Sequence, residues 1–424
     1  MAAAIPFSEP PWLMGLPTPI YQETHRKWQV AIRAFIEKHL LAHAEEWERA
    51  ETVPTHVFDE FAAAGMLIPA LPAPLPVDWL KRLGIHELLG GLPVEDFDYL
   101  HAVIYADEMA RSGLAGPPGS LTTGMAFGVP PIIKFGSKEL QERFLPELLR
   151  GQKRSCIAIT EPDAGSDVAN ITTTAVKSED GKHYIINGTK KWHDHQRHLD
   201  RLRQHGRPNR TRGLWCRRPL YGGGTLKDYP GVSMRRLKVA GQIAAGTTYI
   251  ELDDVRVPVA NLIGQEGMGM RYVMTNFNHE RLSIAVGVTR TSRVALAAAF
   301  EYVLKREAFG KPLMDQPVVR HRLAKAGALL ESQWAWVEQF AYQMTRMPKA
   351  DADRELGGLT AMLKAQAGIV LKECADTAVL LFGGNGYTRS GQGALAEMIY
   401  REVPGARIPG AKTQALGSSA ASKL

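Results

Sequence analysis

Four runs of residues in this chain combine side chains that could do chemistry. The first is Ala158-Ile-Thr-Glu-Pro-Asp-Ala-Gly-Ser-Asp-Val-Ala169. Thr160 offers a hydroxyl to an acceptor on a ring. Pro162, Ala164 and Gly165 keep a turn compact, and Gly165 lets the backbone come close to a ligand. Ser166 and Asp167 can supply hydrogen bonds within that turn. Taken alone, the run is also an ordinary polar turn between strands. The second run, Phe277-Asn-His-Glu-Arg-Leu282, opens a helix with the carboxylate of Glu280 beside Arg281. Alone, Glu280 is equally a first-turn carboxylate that complements the helix dipole. The third is Arg306-Glu-Ala-Phe-Gly310, followed by Lys311 and Gln316. A guanidinium donates paired hydrogen bonds that suit a diphosphate, while the same residues also read as a helix ending in a Gly cap. The fourth, Phe382-Gly-Gly-Asn-Gly386 with Tyr387, is a Gly-rich turn, a weak signal by itself.

The elements that must position these runs fall into five stretches. Residues 1–20 form a Pro-rich extended arm. Residues 21–151 are helical in pattern: Val30, Ile32, Phe35, Ile36 and Leu40 recur at helix spacing, as do Phe58, Phe61 and Met66. Pro69, Pro72, Pro74 and Pro76 break this region into a loop before Trp79. Residues 152–265 are strand-rich. Lys182-His-Tyr-Ile-Ile-Asn-Gly188 predicts a strand ending in an Asn-Gly turn, and Thr247-Thr-Tyr-Ile-Glu-Leu252 predicts another strand. Residues 266–404 are helical again, with Ala/Leu-rich segments such as Arg293 to Lys305 and Thr360 to Leu381. Residues 405–424 form a small, polar tail. No window holds the roughly 18 uninterrupted apolar residues of a membrane span. Three cysteines, Cys156, Cys216 and Cys374, are odd in number and far apart, which implies neither a disulfide framework nor a metal site and points to a reducing compartment.

Taken together and in this order, the four runs resemble the signatures of the acyl-CoA dehydrogenase family, and the resemblance covers nearly the whole chain. It implies an α+β fold with an N-terminal helical domain, a middle β-domain and a C-terminal four-helix bundle. It implies FAD as cofactor, no metal, an acyl-CoA substrate, electron-transfer flavoprotein or oxygen as electron acceptor, and a homodimer or homotetramer. By position, Thr160, Ser166, Trp192, Arg306, Phe309, Gln316, Gly383 and Gly384 correspond to cofactor-binding residues, Arg306 reaching the FAD diphosphate of a partner subunit. Ser166, Arg281 and Tyr387 correspond to substrate-binding residues. Most of the family takes its catalytic base from a C-terminal loop. The long-chain and isovaleryl types have Gly there and place a Glu one position before the Arg of the bundle's first helix. Here Glu280 precedes Arg281 and Gly410 stands in the loop, so the resemblance assigns the base to Glu280. Leu380 stands where many relatives have a cofactor-binding Gln. A peroxide-producing oxidase and a catalytically inactive binding protein of the same fold are the competing functions. Acyl chain length, and a place in β-oxidation or secondary metabolism, are left open.

Two segments depart from the family pattern. After Lys190-Lys-Trp192 the family continues Ile/Val-Thr-Asn-Gly, whereas this chain reads His193-Asp-His-Gln-Arg-His198. The formal charge of +7 is concentrated just beyond: eight arginines between Arg197 and Arg218 face only Asp194 and Asp200, a net +6 that leaves +1 elsewhere. The charge is therefore a local anomaly and not a nucleic-acid-binding field. Synonymous codons for Asp194 to Arg210 can be chosen so that a one-base shift reads Ile-Thr-Asn-Gly-Ile-Trp-Thr-Asp-Tyr, the missing family segment. We therefore expect residues 194–219 to be translated out of frame. At the other departure, Ser422-Lys-Leu424 matches the peroxisomal C-terminal address, which suggests a fungal-type peroxisomal member. Cytoplasmic or mitochondrial placement is the alternative if the tail itself is altered.

Overall fold

A computed structural model of the chain describes residues 5–193, 226 and 229–408. The Arg-rich segment from Asp194 to Pro219, Gly410 and the Ser422-Lys-Leu424 address lie outside the described residues. In chain order the helices are α1 (Glu23–Ile36), α2 (Ala44–Arg49), α3 (Thr55–Ala63), α4 (Val77–Arg82), α5 (Tyr99–Met109), α6 (Gly116–Thr123), α7 (Pro130–Phe135), α8 (Lys138–Leu149), α9 (Gly269–Met274), α10 (Phe277–Lys305), α11 (Pro317–Arg346), α12 (Lys349–Glu355), α13 (Gly357–Phe382) and α14 (Ala394–Arg407). The strands are β1 (Glu87–Leu88), β2 (Leu92–Pro93), β3 (Thr174–Lys177), β4 (His183–His193), β5 (Val232–Arg236), β6 (Thr248–Pro258), β7 (Glu307–Ala308) and β8 (Lys311–Pro312).

The chain forms two compact units. One comprises residues 1–45, 98–115 and 278–424. Its core is the four-helix bundle of α10, α11, α13 and α14, packed through Ala295, Ala299, Leu323, Ala326, Leu371, Ala375, Ala378 and Ile399. Alanine at these facing positions lets helix backbones come close. α1 packs on α5, and α5 on α11. Ile32, Ile36 and Leu40 are buried as expected, but Val30 is exposed. At 100° per residue it lies on the face opposite Trp28 and Ile32, so spacing alone overcounted the apolar stripe. The N-terminal arm is not simply extended. It forms a 3₁₀ turn at Pro11–Met14, and Phe7 fills the space where a Cβ on Gly327 would lie 2.3 Å from its ring. Buried Arg290 pairs with Asp107 and with Glu9 of the arm, the latter at 3.0 Å. Burial pushes the Glu9 carboxyl up, but Arg290, Arg33 and Arg111 outweigh it and hold it at about 2.

The other unit comprises residues 46–97 and 116–277. Its sheet runs β3-β4-β6-β5, antiparallel throughout. The Asn187-Gly188 pair does not turn the chain. β4 continues through it to His193, and Asn187 lies opposite a bulge in β6, where Asp253 and Asp254 face this one residue. Gly188 adopts φ +149, and a Cβ there would meet Thr173 Oγ1 at 2.5 Å. The Asn187 amide closes the bulge by exchanging hydrogen bonds with Asp254, 2.9 Å to its carboxylate and 2.8 Å from its backbone N–H. An Asn-Gly pair has the chemistry of a turn, and pairing along β6 keeps it within a strand, opposite the bulge. Short strands β1 and β2 pair within the region that reads as wholly helical.

Candidate active site

In the unit that holds the sheet, the first signature lies alongside β4. Thr160 is half-buried and its carbonyl accepts from the Lys191 N–H at 2.9 Å, while Ser166 is exposed. Trp192 follows on β4. Glu161 turns back on itself through mutual backbone hydrogen bonds with Ala164, which gives the compact Pro-Asp-Ala turn read from the sequence. A pair the motif reading missed lies beneath this turn. Lys190, 0% exposed, bonds Glu161 at 2.8 Å, and Glu161 also accepts from the Thr172 and Thr173 amides at 2.6 and 3.1 Å. Burial pushes the Glu161 carboxyl up, but these bonds outweigh it and hold it at about 2. The available signal was periodicity: Tyr184, Ile186 and Lys190 share the inward phase of β4, and a cation in that phase needs a buried partner.

The same unit also holds Asn276, which precedes the second run. Helix α6 passes into a π-turn at Gly124–Gly128, where glycines let Ser155 approach and donate to the Gly124 carbonyl at 2.7 Å. The Ala126 carbonyl of that turn accepts from the buried Asn276 amide at 3.1 Å, immediately before α10.

In the bundle unit, Glu280 sits half-buried in the first turn of α10 beside Arg281. Burial pushes the Arg281 guanidinium down, against the pull of Glu280. Asn278 ties this turn to the Asp353 carbonyl at 3.1 Å. Lys364 of α13, also missed from sequence, donates to the Ala406 carbonyl at 2.9 Å; burial and the charge of Arg281 push it down to about 8. The third run is a hairpin. α10 stops at Lys305, β7 and β8 pair, and Phe309 and Gly310 form the connecting turn at φ +56 and +75. Both positive angles mark a type I′ turn, so the Gly-cap alternative is corrected. An aromatic residue held left-handed and 94% exposed is an unusual presentation. Arg306 is exposed beside it, and Gln316 is half-buried at the entry to α11. The fourth run adjoins the third: the Asn385 amide donates to Tyr302 Oη at 3.2 Å, one turn before Arg306. Gly383 adopts φ +60, a Cβ on it or on Gly384 would meet nothing within 4 Å, and Tyr387 is 88% exposed. The Gly383 N–H caps α13 by donating to the Leu380 carbonyl; the open glycines leave room for a close approach, and the exposed guanidinium is a donor that suits a dinucleotide's phosphates.

Among the described residues, only His25, Asp98 and His101 have metal-ligand spacing. His25 Nδ1 accepts from the Gln22 amide at 2.9 Å, which turns Nε2–H toward Asp98 at 3.3 Å. The group thus serves as a helix cap joining α1 and α5.

Residues 22–152, 156–255 and 267–420 match the N-terminal, middle and C-terminal domains of acyl-CoA dehydrogenases. The chain is 65% identical to acyl-CoA dehydrogenase apdG of Emericella nidulans, over 98% of this chain and 94% of that one. The chain belongs to the acyl-CoA dehydrogenase family. It is an oxidoreductase of that family, and FAD is the family's cofactor. A second relative of this acyl-CoA dehydrogenase, AFT10-1 of Alternaria alternata, is 33% identical over 95% of this chain and 91% of its own. The solved acyl-CoA dehydrogenase of Geobacillus kaustophilus superposes with a TM-score of 0.78 at 27% identity, covering 96% and 100% of the two chains. The expected three-part α+β fold is therefore the fold of this acyl-CoA dehydrogenase.

Proposed function

We propose that this acyl-CoA dehydrogenase introduces an α,β double bond into an acyl-CoA thioester, with Glu280 removing the α-proton. The observation that carries this is a half-buried carboxylate in the first turn of the first bundle helix, followed at once by Arg281. Partial burial shields a carboxylate from water and favours proton transfer to it. Arg281 supplies a cation for an anionic or carbonyl group of the substrate, and Ser166 and Tyr387 are exposed groups that can order the acyl-CoA. Thr160, Ser166, Trp192, Arg306, Phe309, Gln316, Gly383 and Gly384 would hold FAD, which when bound supplies the acceptor for the β-hydride. In this reading Arg306 acts on the FAD of a second copy, since its guanidinium is exposed at the start of a hairpin.

Anaerobic mixing of FAD-loaded protein with a panel of acyl-CoAs tests the reading. Bleaching of the flavin by one chain-length class is expected, and no bleaching by any thioester overturns it. Admission of electron-transfer flavoprotein or oxygen to the reduced protein then identifies the acceptor. We also propose peroxisomal delivery through Ser422-Lys-Leu424. A fluorescent protein fused at the N-terminus should be peroxisomal, and deletion of Leu424 should release it; an unchanged distribution would reject the address.

A further inference from the structure

Lys190 and Glu161 bring two opposite charges into the interior of the sheet unit, 0% and 3% exposed. A buried ion pair is weak support for stability, because desolvation offsets most of the attraction and a well-packed apolar pair serves as well. Its partners fit a positioning role better. Lys190 Nζ bonds Glu161 at 2.8 Å and the Ile159 carbonyl at 3.3 Å, so it grips the residues on both sides of Thr160. The other carboxylate oxygen of Glu161 accepts from the Thr172 N–H at 2.6 Å and its hydroxyl at 2.9 Å, which ties the turn to the segment entering β3. The next residue along β4, Lys191, donates its N–H to the Thr160 carbonyl at 2.9 Å, where the β4–β6 pairing is irregular between Lys190 and His193. Charge and backbone thus fix both sides of Thr160 at the point where β4 leads into Trp192.

We propose that Glu161 and Lys190 are positioning residues that hold the Thr160–Asp167 segment against β4 in the geometry that receives the flavin. This rests on the FAD assignment made above. The pair would act before the cofactor arrives, by removing conformations of the loop that the cofactor would otherwise have to exclude.

The test uses the full chain and the double variant Glu161→Gln/Lys190→Met, which keeps one acceptor oxygen for the Thr172 amide and fills the lysine's volume without charge. Thermal unfolding, FAD titration by flavin fluorescence, and amide exchange of the apo protein are measured in parallel. The expected result is a melting temperature close to the parent's, an FAD dissociation constant raised by roughly tenfold, and faster exchange at residues 160–167 and at Lys191 than in α10 to α14. Parent-like FAD affinity, or parent-like exchange at those amides, overturns the proposal. Thr172→Val, which removes only the hydroxyl bond to Glu161, serves if the double variant does not fold: a smaller shift in both readouts is expected, and no shift overturns the proposal. A parent protein that takes up no FAD overturns the cofactor reading instead, and amide exchange alone then decides whether the pair orders the loop.

Discussion

Thr160 lies in a segment held by charge, with Glu161 and Lys190 meeting at 2.8 Å out of solvent. Glu280 follows two neutral amides: Asn276 donates to the Ala126 carbonyl and, within the helix, Asn278 to that of Asp353, each at 3.1 Å. The difference follows the work proposed for each segment. A cofactor-facing loop keeps one charge state throughout, and an ion pair can lock it. A base changes protonation state in every turnover, and neutral anchors fix its backbone while the adjacent charge is that of Arg281.

The largest effect should come from the reacting carboxylate. Glu280→Gln should lower the rate of anaerobic flavin reduction by roughly 10²- to 10⁴-fold while leaving bound FAD unchanged; equal rates in stopped flow would leave Glu280 as a helix-terminal carboxylate only. Next in size is Lys190→Met alone. It leaves Glu161 buried without its cation, so urea unfolding should show a loss of about 3 kcal/mol, most of it recovered by adding Glu161→Gln. A single variant as stable as the parent would mean that water reaches Glu161 and that the two anchors do not differ in kind.

The third test is acidity. The Glu161 carboxyl is held at about 2 in the folded protein against an ordinary value of 4.5. A depressed carboxylate stabilises the fold above its unfolded pKa, and that stabilisation fades as pH falls toward the folded one. The stability gap between parent and Glu161→Gln should therefore be full above pH 4.5 and shrink toward pH 2. A gap that does not change with pH would contradict the charged anchor. Smallest of all, Asn276→Ala should cost about 1 kcal/mol through the unbonded Ala126 carbonyl. Because both groups are neutral, its cost should stay constant over the same pH range; a pH-dependent cost would erase the contrast between the anchors.

Much of this was legible from local pattern. The four runs lie in order on elements of the expected kind, and the helix that opens at Phe277 carries Glu280 in its first turn as read. Two of the errors have different causes, a strand distant in sequence in one and a tight local ladder in the other. Asn187-Gly188 carries the chemistry of a turn, and pairing with β6 some 65 residues later keeps it within a strand, opposite a bulge in β6. Arg306 to Gly310 carries the chemistry of a helix cap, and the ladder between β7 and β8 makes it a hairpin.

By itself the sequence carried the resemblance to the family, the order of helical and sheet regions, and the candidates proposed for proton removal and phosphate contact. The regions rest on short-range spacing and the family on local motifs, both of which one chain displays in full. Tertiary structure alone decided which charges are buried together. Lys190 and Glu161 are 29 residues apart, and Arg290 and Asp107 are 183 apart. Each residue in isolation reads as a solvated surface charge. Only the packed interior, where an unpaired ion is too costly to keep, turns them into partners.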